Sequence, residues 1–303
     1  LYKTFEIIFE DKIKSINFCI FIIFAIFILK FFAITTDINI FHYLYDPFNN
    51  NFGSRVPRPL VTSIFYFLFY FQIMKLRNNI KDDIDFKYFL AITFLLSCFV
   101  NSFFYYFINF SILLAILTYL YAGKKIIKII LNNKKKLIIL ILFFLLFILP
   151  FVLQIYFGEN HYSQRIGVIE INFIQKIQLI KYYFVSLLRL EFFLLLALTT
   201  LIHLYLKLSF KFRSRKIDKI NIFFYFVLAS LISPPIFFLA SPLIVSIYHF
   251  IDILIFACLF YILLASYYLL FDKFLNYLNK FNLKLSIILI LITFTFGNFF
   301  IDK

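Results

Sequence analysis

Lysines and arginines in this chain fall in short clusters between long uncharged apolar runs, and no other feature constrains the fold as strongly. Hydrophobic residues make up 64% of the sequence and mean hydropathy is +0.96. Several runs approach the roughly 20 residues that cross a bilayer. Only 15% of residues are charged, and they gather at segment ends, so lipid rather than water must solvate most of the chain. Backbone polar groups in lipid have to be satisfied internally, which leaves helices or a closed barrel, and runs of this length specify helices. The sequence therefore predicts an all-α, polytopic helical integral membrane protein, a single transmembrane domain over 1–303.

The formal net charge of +15 does not indicate nucleic acid, which would require a basic stripe on a folded surface. Here the cations sit in short loops beside spans, where they mark the cytoplasmic side and face anionic lipid headgroups. Membrane lipids are the expected partners. Cys19, Cys98 and Cys258 all lie inside apolar segments with no paired spacing, so neither a disulfide framework nor a cysteine metal site is expected. The sequence begins at Leu1 rather than Met, and a piece of a longer protein could carry further spans.

Apolar runs cover 16–34, 60–74, 88–121, 137–156, 173–210, 220–240, 250–271 and 285–301. The third is basic at both flanks, and one span cannot begin and end on the same side. Its about 34 residues suffice for two short helices, so a hairpin is expected to turn between Asn101 and Asn109. In 173–210, the first part, with Lys176, Lys181 and Arg189, fits the interface ahead of a span. Placing the basic loops inside gives about nine spans with a cytoplasmic amino terminus. The outer connections are then 35–59, 157–173 and 241–249.

On this topology the outer face collects a mixed set of polar residues, and that is where chemistry is expected. In the first outer loop Asp37 or Asp46 could act as a general base, and Arg55 and Arg58 could grip a phosphate. Helix caps, turns and headgroup anchors explain the same residues without a site. In the second loop His161 and Arg165, four apart, could share a helix face and contact a sugar or pyrophosphate; an ordinary solvated loop has this composition too. In the third, His249 stands three residues before Asp252 at the mouth of a span, where the two could orient each other or help hold a metal. Within the spans, His203 is expected to bond a neighbouring helix. Ser233-Pro234-Pro235 is expected to break its span. No metal ligand set is assigned from the residues.

An acidic residue in the first outer loop, followed by Arg58-Pro59-Leu60 at the start of the second span, resembles the membrane glycosyltransferases of the GT-C class. The resemblance covers about the first quarter of the chain. It implies a polyprenyl-phosphate sugar donor entering from the lipid, Asp46 as base, and Arg55 and Arg58 near the donor phosphate. In that class the loop carboxylate serves as base or metal ligand, so a divalent metal enters through the resemblance alone. The first outer loop departs from the class in lacking its adjacent pair of acidic residues, and no soluble outer domain is expected after the spans.

The polar distribution favours the same class of function. A secondary transporter carries ionisable groups at midplane, and a channel needs a polar face or a glycine-rich filter, whereas this chain has 5 glycines and few ionisable groups within its spans. The expected function is transfer of a sugar from a lipid-linked donor to a cell-envelope glycan or lipid at the outer face of a bacterial cytoplasmic membrane. The alternatives are a polysaccharide polymerase or ligase, and a noncatalytic flippase or transporter of lipid-linked oligosaccharides.

Overall fold

The structure is a computed structural model that describes residues 1–35, 42–46, 58–78, 86–123, 131–157, 172–209, 215–241 and 246–271. Its regular elements, among the described residues, are all helical: α1 Tyr2–Phe9, α2 Lys12–Thr35, α3 Arg58–Asn78, α4 Phe86–Ser102, α5 Phe104–Ala122, α6 Lys134–Phe157, α7 Phe173–Leu187, α8 Leu190–Ser209, α9 Arg215–Ala240 and α10 Ile247–Ser266, which ends in a π turn at Tyr267–Phe271. A short helical turn occupies 42–46. Spans of α2, α5, α6, α8, α9 and α10 are long and apolar enough to cross a membrane, and Thr62–Leu76 and Phe86–Ser102 are shorter apolar helices. The apolar run 285–301 lies outside the described residues.

The long run 88–121 is two helices, as its basic flanks require. Phe103 adopts an extended backbone (φ −148°, ψ 90°) between α4 and α5. Phe99 and Phe110 then stack with ring centroids 4.8 Å apart. In a continuous helix those residues would be about 16 Å apart along the axis, so the chain turns back at Phe103. A second break, at Leu188 and Arg189, divides the run 173–210 into α7 and α8. Asn172 and Gln175 form a reciprocal capping box at the start of α7.

Helix α9 is the hub: it packs against α10, α5, α7, α8 and α1. Lipid is as apolar as the side chains, so helices associate through close packing rather than through the hydrophobic effect. Aromatic rings supply that packing here. The Tyr66 ring meets Tyr106 at 5.6 Å, Phe110 at 5.4 Å, Phe226 at 5.5 Å and Phe256 at 5.4 Å, joining α3, α5, α9 and α10 edge to face. Tyr70 lies flat on Phe223 at 4.1 Å. Helix α6, by contrast, packs mainly on α4 and leaves most of its apolar side chains outside the core.

Ser233-Pro234-Pro235 was expected to break its span, yet α9 runs unbroken from Arg215 to Ala240. A proline lacks the N–H that would bond the carbonyl four residues back, so Pro234 frees Ser230 and Pro235 frees Leu231. Tyr183 of α7 donates its hydroxyl to the Leu231 carbonyl at 3.0 Å, and Ser233 Oγ lies 3.2 Å from the Ser230 carbonyl. At Leu231 a donor from outside the backbone ladder takes the place of the missing N–H.

At one end of the bundle α1 is tied down. Lys219, at the start of α9, donates to the Ile7 carbonyl at 2.6 Å and to Glu10 Oε1 at 2.8 Å. Thr4 Oγ1 donates to the Phe67 carbonyl at 3.1 Å. The turn into α2 passes through Glu10 in the left-handed region (φ 56°) and is capped by Asp11, whose carboxylate accepts from the Ile13 N–H at 2.8 Å. Tyr267, at the far end of α10, reaches back to the Lys14 carbonyl at 3.0 Å.

Candidate functional site

The opposite end of the bundle gathers the starts of α8 and α10, the turn between α4 and α5, and the helical turn at 42–46. Contacts define it. The Tyr43 ring meets Phe192 of α8 edge to face at 6.1 Å. The Tyr105 hydroxyl accepts the Ser246 N–H at 3.1 Å, and His249 packs its ring against Phe103 at 5.4 Å and Tyr105 at 4.9 Å. These contacts set the 42–46 turn against the start of α8, and the start of α10 against the turn between α4 and α5.

Asp46 is exposed at the end of the 42–46 turn. It lies beside Tyr45, whose phenol is raised above its ordinary value by burial and then by the Asp46 charge. Burial pushes the Tyr43 phenol up strongly; Arg189 pulls it back, while Glu191 and Asp252 push it further up. Tyr43, set against Phe192, therefore lies near the head of α8, which Arg189 and Glu191 flank. Arg189 and Glu191 are both exposed at the head of α8, and the Arg189 carbonyl accepts the Phe193 N–H at 3.0 Å. An arginine fork beside carboxylates at the rim of apolar helices can hold a phosphate while a carboxylate takes a hydroxyl proton.

Placement of the expected residues is uneven. Asp46 and His249 fall at this end. Arg58 opens α3, but its side chain, together with Asp37, Arg55, His161 and Arg165, lies outside the described residues. The third outer connection is shorter than 241–249, because Ile247, Tyr248 and His249 already belong to α10. His249 is clasped by the rings of Phe103 and Tyr105.

Arg189 and Glu191 flank the first residue of α8. The break at Leu188 and Arg189 moves both to a helix mouth, and Tyr43 carried no sequence signal at all. No group of three or more His, Cys, Asp or Glu residues converges to hold a metal among the described residues.

In the apolar interior His203 bonds a neighbouring helix as expected. Its Nδ1 lies 3.1 Å from the Tyr261 hydroxyl of α10, and its ring stacks flat on Phe224 of α9 at 3.7 Å. The chain matches no protein-family profile, no curated protein and no solved structure.

Proposed function

We propose that this chain is a membrane glycosyltransferase that moves a sugar from a polyprenyl-phosphate donor to a cell-envelope glycan or lipid acceptor at the outer face of a bacterial cytoplasmic membrane. The observation that carries the reading is the polar end of the bundle: exposed Asp46 on the short helical turn whose Tyr43 meets Phe192 of α8, with exposed Arg189 and Glu191 at the head of that helix. In this reading Asp46 is the base toward the acceptor hydroxyl, and Arg189 joins Arg55 and Arg58 as a phosphate contact. His161, Arg165 and His249 contribute to the sugar or acceptor side. Each methylene of the donor tail buried along the apolar helices contributes about 0.8 kcal/mol, so the tail needs no special pocket.

The topology belongs to the same proposal: nine spans, with α1 and the basic loops in the cytoplasm and Asp46 outside. Alternation supports it, since Lys14 and Lys219 lie at one end of the bundle and Tyr43 and His249 at the other.

A noncatalytic flippase of lipid-linked oligosaccharides is the second reading, favoured by the hydrogen-bonded His203 inside α8; a polymerase or ligase would share the outer site. Membranes carrying the chain, supplied with a labelled polyprenyl-phosphate sugar, discriminate these. Donor-dependent incorporation that survives His203→Ala supports the enzyme. Lipid translocation without incorporation, lost in His203→Ala, replaces it with the flippase.

A further inference from the structure

The interface of α5 and α9 holds a cluster of polar side chains at the proline pair. Asn109, Ser230 and Ser233 are each fully buried. Ser233 Oγ is hydrogen-bonded to Asn109 Oδ1 and lies 3.2 Å from the Ser230 carbonyl. A serine hydroxyl has one proton, so it cannot donate to both acceptors at once. The Ser230 carbonyl has no helical donor either, because residue 234 is proline.

Two further groups there, Asn109 Nδ2 and Ser230 Oγ, have no hydrogen-bond partner among the described residues. Two unpartnered polar groups and one shared proton, all within one turn of α9 and one residue of α5, form an incomplete network.

We propose that this cluster is a binding site for a water molecule within the membrane interior, bridging Asn109 and Ser230 across the α5–α9 interface. The chemistry of the groups selects the ligand. It must accept from the Asn109 amide N–H and donate to an oxygen of Ser230, which water does and a cation cannot. Reversing the amide leaves the demand intact: Asn109 Oδ1 then seeks a donor, and the Ser230 hydroxyl remains. Buried waters make about three hydrogen bonds to otherwise unsatisfied groups, and bound water is one of the means by which membrane helices absorb the backbone groups that proline frees.

Removing a truly unpartnered buried hydroxyl is neutral or stabilising, whereas removing one arm of a water-filled network is destabilising. Alanine is also the better helix former, so Ser230→Ala would raise the melting temperature if nothing bound there. The proposal predicts a fall of about 2–4 °C in the purified full-length protein. It also predicts magnetisation transfer from water to the Asn109 side-chain amide in the folded wild type by solid-state NMR, which remains measurable if the variant fails to fold. A melting temperature that rises or is unchanged in Ser230→Ala, absence of water transfer at Asn109, or a melting temperature that depends on sodium through Ser230 would each overturn it.

Discussion

The hydroxyl of Tyr183 donates at 3.0 Å to the carbonyl of Leu231, the acceptor that Pro235 strips of its helical donor. That bond joins α7 to the hub helix at the point where α9 would otherwise expose an unsatisfied group to an apolar interior. Tyr183→Phe removes the donor alone, and the expected cost is about 1 kcal/mol, or a fall of about 2–4 °C in melting temperature. Pro235→Ala restores an N–H able to serve Leu231, so Tyr183→Phe should cost much less in that background. Thermal melts of the four proteins in detergent read the coupling directly.

Lys219 anchors α1. Its ammonium is almost wholly buried and is held by the Ile7 carbonyl and Glu10. Lys219→Met keeps the length of the stem and removes both bonds, each a contact of a charged group of about 1.5–3 kcal/mol. Amide exchange in α1 should accelerate by at least about tenfold, as every 1.4 kcal/mol implies, while exchange in α10 stays slow. Glu10→Gln should have the milder effect, because the Ile7 carbonyl remains.

The exposed Lys3–Glu6 pair, 2.8 Å apart, sets the pH response of α1. The Lys3 hydrogen bond holds the Glu6 carboxyl below its ordinary value, and the Glu6 hydrogen bond raises Lys3. The Glu6 contribution is therefore complete above the ordinary carboxylate value and is lost as pH falls through its lowered one. The Lys3 contribution is complete below the ordinary lysine value and is lost as pH rises through its raised one. Amide protection at the start of α1, taken relative to the intrinsic exchange rate at each pH, should be greatest between those limits and fall at both extremes; Glu6→Gln should flatten the profile.

Cysteine substitution tests the sidedness. The native Cys19, Cys98 and Cys258 lie within apolar helices, so a cysteine-free background is the starting point. A cysteine at Asp46 should react with a membrane-impermeant maleimide in intact cells. One at Asp218 should react only after permeabilisation.

Sequence carried the helices far better than the site. Apolar run length and basic flanks are local properties, and they located the reversal at Phe103 within the Asn101–Asn109 window and the helices on either side. The continuity of α9 through Pro234-Pro235 was not legible, because the rescuing donor, Tyr183, is 48 residues away and no spacing rule links them. The candidate site has the same character. Asp46 and His249 could be nominated from the loops that hold them, but the contact of Tyr43 with Phe192, beside Arg189 and Glu191, joins two distant segments. Only the break at Leu188 and Arg189, which no Gly or Pro marks, makes a helix mouth there.

The central claim is that Asp46 acts on a lipid-linked sugar. The most direct measurement is incorporation of labelled sugar from a polyprenyl-phosphate donor by membranes carrying the wild type, Asp46→Asn or Asp37→Asn at matched protein level. A loss of general-base function lowers transfer by about 10²–10⁴-fold, and the account predicts a loss of that size in Asp46→Asn with Asp37→Asn much less affected. Undiminished transfer in Asp46→Asn, or no donor-dependent transfer by the wild type across several sugars, would contradict it.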